Sequence, residues 1–202
     1  RLRHDPQASL VCDTVKSAVP VTPFHVVPTA TVYFLFFRRL NGLAFFLGSL
    51  LIDLEPVLYM FFSVRFQFQL LLGGFAQQGP HMITHNPFSA VLLVAPVMVV
   101  VAKAVELASR GLMQGVFPDI HWVKYSWKAT YLSALTGAFL HLGWDLTMHF
   151  DINLGFPFID LPNPFINAAA TALILYVSLA LMLPAYLIGK KINTGDPCRK
   201  LP

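Results

Sequence analysis

Apolar residues occur in this chain as long blocks separated by short polar clusters, and the blocks read as helices. Thr22-Pro23-Phe24-His25 has the form of a helix entrance, with Thr22 placed to cap and Pro23 suited to the first turn. Residues 26–37 are apolar, with Pro28 distorting the first turn. Arg38-Arg39-Leu40-Asn41-Gly42 is a basic turn, and residues 43–52 are apolar again. At ~1.5 Å rise per residue each arm travels roughly 15–20 Å, so an antiparallel hairpin returns Asp53-Leu54-Glu55-Pro56 to the level of His25. Residues 57–62 can re-enter the apolar layer. The stretch 63–80, broken by Gly73-Gly74 and Gly79-Pro80, is expected to be an interfacial helix or a short re-entrant segment.

Pro87 fits the first turn of a helix capped by Asn86 and disfavours helical geometry at Asn86 itself. His81 and His85 are therefore expected in a turn just before that helix. From residue 88 to about 109 it rises roughly 30 Å, enough to cross a bilayer, with a kink at Pro96 and an end at Arg110-Gly111. The connection 111–128 mixes Trp122, Lys124, Trp127 and Lys128, a composition suited to a membrane interface. A helix from 129 to about 150 returns. The Pro- and Asn-rich loop 154–164 follows, and a last span, 166–188, ends in Lys190-Lys191 and reads as scaffold.

The pattern predicts an all-α fold, a multi-pass transmembrane helical bundle of about four to five membrane segments, short or re-entrant ones included. Residues 19–192 form the helical membrane domain, and 193–202 a polar tail. Residues 1–18 read as a disordered extension or as sequence ahead of a true start at Val19.

Composition agrees. The chain is 56% hydrophobic and 12% charged, with a mean hydropathy of +0.63, which excludes an ordinary soluble domain. The net charge of +4 is spread over several loops, so membrane topology explains it and no nucleic-acid partner is expected. Cys12 and Cys198 lie in the two polar ends without a CxxC neighbour, which removes a disulfide framework or thiolate site. No phosphate-binding glycine loop, nucleophile elbow or nucleotide fingerprint is present.

The chemistry lies in the interruptions. His141, Asp145 and His149 are spaced by four and form one ridge on their helix. Ionisable groups at membrane depth are costly, so they are paired, metal-bound or turned to water. Following the direction of each arm brings His25, Asp53, His81 and His85 to the same rim. The basic residues from Arg38 to Lys200, Arg65 apart, fall at or near the other face, which by the positive-inside rule is cytoplasmic. The chain is thus expected in the cytoplasmic (inner) membrane, with its polar cluster on the extracytoplasmic side.

Imidazole and carboxylate donors without thiolate suit zinc, and also manganese or iron. His25, Asp53, His85, His141 and Asp145 form the expected inner metal-binding group, with His81 and His149 next to it. Glu55 and Asp151 are the candidates for a catalytic base or for a carboxylate that orients an imidazole. The donors suffice for one site with supporting groups or for two metals. The bland alternatives are a buried His141–Asp145 interhelical pair, solvated His81 and His149, and an ordinary loop role for Asp151. Glu106 reads as a helix ion pair with Lys103, and His4, Asp119 and His121 as surface groups.

With these residues in view, the chain resembles a family of inner-membrane-associated metal-dependent hydrolases that includes a LexA-binding member. The resemblance rests on Thr22-Pro23-Phe24-His25, on Gly48-Ser49-Leu50-Leu51-Ile52-Asp53-Leu54-Glu55, on His81-x-x-x-His85, and on His141-x-x-x-Asp145 followed by Thr147. It covers roughly residues 19–150. It implies a multi-pass helical protein with a metal-dependent hydrolase activity akin to zinc phospholipase C-like enzymes. Two departures bear on the substrate. The histidine segment reads His81-Met82-Ile83-Thr84-His85 and lacks the family's arginine, and the acidic motif ends in Glu55-Pro56 instead of an Asp-x-Asp form.

Two classes of function follow. One is a membrane hydrolase that activates water on a phospholipid or another small-molecule or lipid ester, with membrane lipid as its partner. The other is a non-enzymatic membrane protein in which the cluster senses, moves or structurally retains metal ions or protons.

Overall fold

The computed structural model describes residues 23–36, 40–62, 71–72, 81–116 and 125–194. The expectations for the N-terminal stretch and its Val19 start, the Thr22 cap, the Arg38-Arg39 turn, Arg65 with most of 63–80, Trp122 and Lys124, and the C-terminal tail lie outside those residues. So do both cysteines.

Among the described residues the fold is all-helical, with one isolated β-bridge, Asn153 to Pro162. The elements are α1 (Pro23–Phe36), α2 (Gly42–Ile52), α3 (Leu54–Phe62), a short α4 (Pro87–Ser89), a π-helical turn (Ala90–Val94), α5 (Ala95–Val116), α6 (Trp127–Asp145) and α7 (Ala168–Thr194). Two helices are long and apolar enough to cross a membrane, Pro87–Ser109 and Ala168–Lys191. The α2–α3 pair, bent by 46°, qualifies as a third if it is one broken span. The run His25–Phe36 is apolar but shorter. Helix α6 has the length but not the hydropathy. Its inward face carries Thr130, Ser133, His141 and Asp145, because it is the central helix of the bundle.

The hairpin geometry follows the expected arm lengths, and α2 packs mainly on α6 while α1 packs on α7. Asn41 starts α2 by accepting the Ala44 N–H and ties it to α6, donating to Thr130 Oγ1 at 3.3 Å. Two glycines let the helices close. A Cβ on Gly48 would collide with the Ala134 carbonyl of α6, and one on Gly137 with the Phe45 carbonyl of α2. Ile52, Ala90, Val94, Ala138, Leu142 and Ile152 form an apolar floor.

Three boundaries differ from expectation. The kink expected at Pro96 takes the form of a π-turn just before it, in which the Ala95 N–H bonds the Ala90 carbonyl five residues back. Proline has no N–H and its ring crowds the carbonyl four residues earlier, so the turn widens there. That helix then runs past Arg110-Gly111 to Val116. Helix α6 stops at Asp145, not near 150, because the Thr147 and Met148 N–H groups bond the carbonyls three residues back and tighten the turn.

Candidate metal centre

Asp53 occupies the bend between α2 and α3. His25 comes from the first turn of α1, and His141 and Asp145 from the last turn of α6. His85 belongs to the turn ahead of Pro87, as its proline neighbour implies. Glu55 fixes that turn. Its Oε2 accepts the backbone N–H groups of Met82, Ile83 and Thr84 at 3.1, 2.6 and 3.0 Å, consuming donors that the non-helical segment would otherwise leave unpaired. Asn86 caps the following helix through the Ser89 N–H and holds the Met82 and Ile83 carbonyls.

These pieces converge on two carboxylates. His141 Nε2 lies 3.1 Å from Asp53 Oδ1 and 3.0 Å from Asp145 Oδ2. His85 Nε2 lies 3.7 and 3.1 Å from the same two oxygens. The outer oxygens face His25, with Nδ1 3.6 Å from Asp53 Oδ2 and Nε2 3.2 Å from Asp145 Oδ1. Asp53, His85, His141 and Asp145 are all buried and offer ligand atoms within 4.8 Å of one another.

The supporting hydroxyls reveal the tautomers. The Thr84 hydroxyl donates to the Ile52 carbonyl at 2.6 Å, so at 3.1 Å from His85 Nδ1 it acts as acceptor and His85 carries its proton on Nδ1. On the other side, Thr29 donates to the His25 carbonyl at 2.9 Å. Ser49 therefore donates to Thr29 Oγ1 and accepts from His141 Nδ1, each at 3.3 Å. With Nδ1 of each ring donating to its hydroxyl, each Nε2 faces two carboxylate oxygens, that of His141 in hydrogen-bond geometry to Asp53 Oδ1 at 3.1 Å and that of His85 without a hydrogen bond. Lone pairs at such distances repel unless a cation stands between them, whether a metal ion or added protons. His85 Nε2 and both Asp145 oxygens are buried without a hydrogen bond, and the four residues present donors able to hold a divalent cation.

A second group lies at the rim. His81 Nδ1 donates to Asp151 Oδ2 at 2.8 Å, and the His81 and His149 rings are 4.1 Å apart. His149 Nε2 reaches Asp145 Oδ1 at 3.9 Å. Burial, reinforced by the nearby His81, pulls His149 down to about 4, against the pull of Asp145 and Asp151. Burial would raise the Asp151 pKa, but the hydrogen bond and charge of His81 outweigh it and the value falls below the ordinary one. The following loop fixes this rim. Asn163 Nδ2 donates to the Leu146 and His149 carbonyls at 2.8 and 2.7 Å, and Asn153 Oδ1 accepts from Gly155 and Leu161.

The structure thus assembles all seven histidines and aspartates expected as ligands, with Asp151 beside His81 and Glu55 beneath the His81–His85 turn. His149 joins from beyond α6 instead of from its ridge. The Lys103–Glu106 pair forms as expected, at 2.9 Å. Sequence reasoning did not assign roles to Thr29, Ser49 and Thr84. Their signal was spacing: Thr29 lies four after His25, Ser49 four before Asp53, and Thr84 adjoins His85.

Set against protein-family models, curated proteins and solved structures, the chain matches none. The chemistry of the site is read from its own residues.

Proposed function

We propose that the chain is a metal-dependent hydrolase of the cytoplasmic membrane that cleaves an ester bond in a lipid-like substrate. The observation that carries this reading is Asp145: a fully buried carboxylate with neither oxygen hydrogen-bonded, ringed by nitrogens of His25, His85 and His141 at 3.0–3.2 Å. Nitrogen and oxygen donors without sulfur favour zinc, with manganese or iron as substitutes. A divalent cation held there supplies a Lewis acid and acidifies water. The chain's own part is positional. Ser49 and Thr84 aim the two imidazoles, Glu55 holds the turn that bears His85, and His149 and Asp151 line the approach from the rim.

A lipid-like substrate is supported by an apolar lateral groove of about 320 Å³, lined by Leu47, Leu50, Leu51, Leu54, Val57 and Met98 and bordered by Asp53. An acyl chain lying there would run past the bend that carries Asp53. Lys128, Lys190 and Lys191 stand at the ends of α6 and α7 remote from the cluster, which by the positive-inside rule supports an extracytoplasmic rim. The same activity is what the resemblance to inner-membrane hydrolases implies.

The burial of the inner four donors favours a second reading, a structural or sensing cation site without catalysis. Metal analysis of the purified protein, combined with hydrolysis of short-chain phospholipids and simple esters, separates the two. Joint loss of metal and hydrolysis in Asp145→Ala and His141→Ala supports the hydrolase. Bound metal without hydrolysis of any ester favours the structural site, and wild-type protein devoid of metal refutes both.

A further inference from the structure

The loop between α6 and α7 is turned inside out. Asn153 and Asn163 are buried, and their amides serve the backbone. Asn153 Oδ1 accepts the Gly155 and Leu161 N–H groups, each at 3.0 Å. Asn163 Oδ1 accepts the Phe165 N–H at 2.9 Å, while its Nδ2 donates to the Leu146 and His149 carbonyls. The apolar side chains face outward instead: Phe158, Ile159, Leu161, Phe165 and Ile166 are 36–58% exposed. A loop solvated by water distributes such side chains the other way, and a contiguous apolar surface of this kind marks a contact. We propose that this loop lies in the lipid leaflet beside the rim of the bundle, with uncharged acyl chains covering its apolar face. The inference rests on the membrane reading of the chain and is independent of any hydrolysis.

Irregular backbone enters lipid only where the protein itself satisfies its polar groups. Beyond the asparagine bonds, the Leu154 N–H bonds the Leu161 carbonyl at 2.9 Å and the Asn163 N–H bonds the Ile152 carbonyl at 3.1 Å. Pro157, Pro162 and Pro164 have no N–H to leave unpaired. The Pro157 and Phe158 carbonyls accept the N–H groups of Leu71 and Leu72 at 2.8 and 3.0 Å. Those two leucines are themselves 68% and 73% exposed, so the groups that cap the loop add to its apolar face.

Continuity and charge identify the occupant. Phe158 packs edge-on against Phe88, with ring centroids 4.9 Å apart, at the start of the candidate span Pro87–Ser109. At its other end the loop runs through Ile166 into the candidate span Ala168–Lys191. The patch therefore extends the exposed apolar sides of both spans. No Lys or Arg occurs from residue 129 to 189, so anionic headgroups find no partner there. Asp160 is the one ionisable side chain in 152–167, exposed and held by Asn153 Nδ2 at 3.0 Å, and it sets the headgroup level. Asp151 leads into the loop and Asn163 ties the His149 carbonyl at 2.7 Å, so the rim of the metal centre is held at the lipid boundary.

The test uses the full chain, with Cys12→Ser and Cys198→Ser, reconstituted in phosphatidylcholine vesicles. A single nitroxide label is placed through Ile159→Cys or Phe165→Cys, with Leu173→Cys on α7 as the reference. Collisions with oxygen, which concentrates in lipid, are compared with those of a water-soluble nickel chelate. Both loop labels are expected to match Leu173, with oxygen collisions about fivefold or more above nickel, and to stay unchanged when phosphatidylglycerol is added. Two label positions keep the test from depending on either variant folding. Nickel-accessible loop labels beside a lipid-facing Leu173 overturn the proposal and leave the membrane reading standing. Labels shielded from both probes place a second copy of the chain on this face and overturn the lipid occupant. Entry into lipid only with phosphatidylglycerol overturns the uncharged partner. A nickel-accessible Leu173 overturns the membrane reading and the proposal together.

Discussion

Ser49 Oγ stands 3.3 Å from His141 Nδ1, across the contact where Gly48 and Gly137 bring α2 and α6 together. The packing of two helices and the aim of a ligand are therefore one feature. Removing the acceptor in Ser49→Ala frees the imidazole to turn and leaves its N–H unpaired. Metal affinity should fall by about 10- to 100-fold with the fold intact, as for other partners of metal-bound histidines. Competition with a chelator of known affinity measures it, and unchanged affinity contradicts the relay from His141 through Ser49 to Thr29.

Thr84→Val tests the opposite imidazole. Valine keeps the volume and removes the hydroxyl that accepts from His85 Nδ1. A similar fall of about 10-fold or more is expected, while Thr84→Ser should stay near wild type. Equal loss in both variants would point to packing and not to the hydroxyl.

Glu55→Gln separates positioning from proton transfer. Its Oε2 accepts three backbone N–H groups, and amide oxygen is a weaker acceptor than carboxylate. The variant should melt lower and bind metal less tightly, by about 1–3 kcal/mol in stability. A variant with wild-type melting and metal content but no hydrolysis would instead make Glu55 a proton-transfer group.

Gly137→Leu should be among the most damaging changes remote from the ligands. A Cβ at this position already meets the Phe45 carbonyl. Forcing α2 and α6 apart costs about 1–3 kcal/mol or more and pulls Ser49 from His141. Thermal melting in detergent should show the loss, and metal content should fall with it.

Chelation should lower the melting temperature of the wild type. A ligand present at about 1,000 times its dissociation constant stabilises the folded state by about 4 kcal/mol. Identical melting curves with and without chelator, on protein shown to contain metal beforehand, would exclude the centre as a folding element.

Much of the site was legible because it depends on arm length and proline chemistry. The matched lengths of α1 and α2 place Asp53 beside His25, and Pro87 keeps His85 out of the helix. His141 and Asp145 follow from helical spacing. The cradle at Glu55 was not legible, because its donors lie 27 to 29 residues away and are backbone groups without a residue signature. Nor was the end of α6, set by a turn that Asn163 secures from 14 and 17 residues downstream. At α6 the sequence shows the length of a span but not the hydropathy, because the helix carries a polar face that is buried in the bundle.

The widened turn at Ala90–Val94 accommodates one residue more than a regular helix would. It takes up the surplus locally, so the helix beyond Ala95 and the cap at Asn86 keep their mutual orientation. Shortening the chain by one residue within that turn would restore an ordinary helix and leave His85 aimed at Asp145. The same deletion farther along α5 would rotate everything before it by about 100° and carry that imidazole off target.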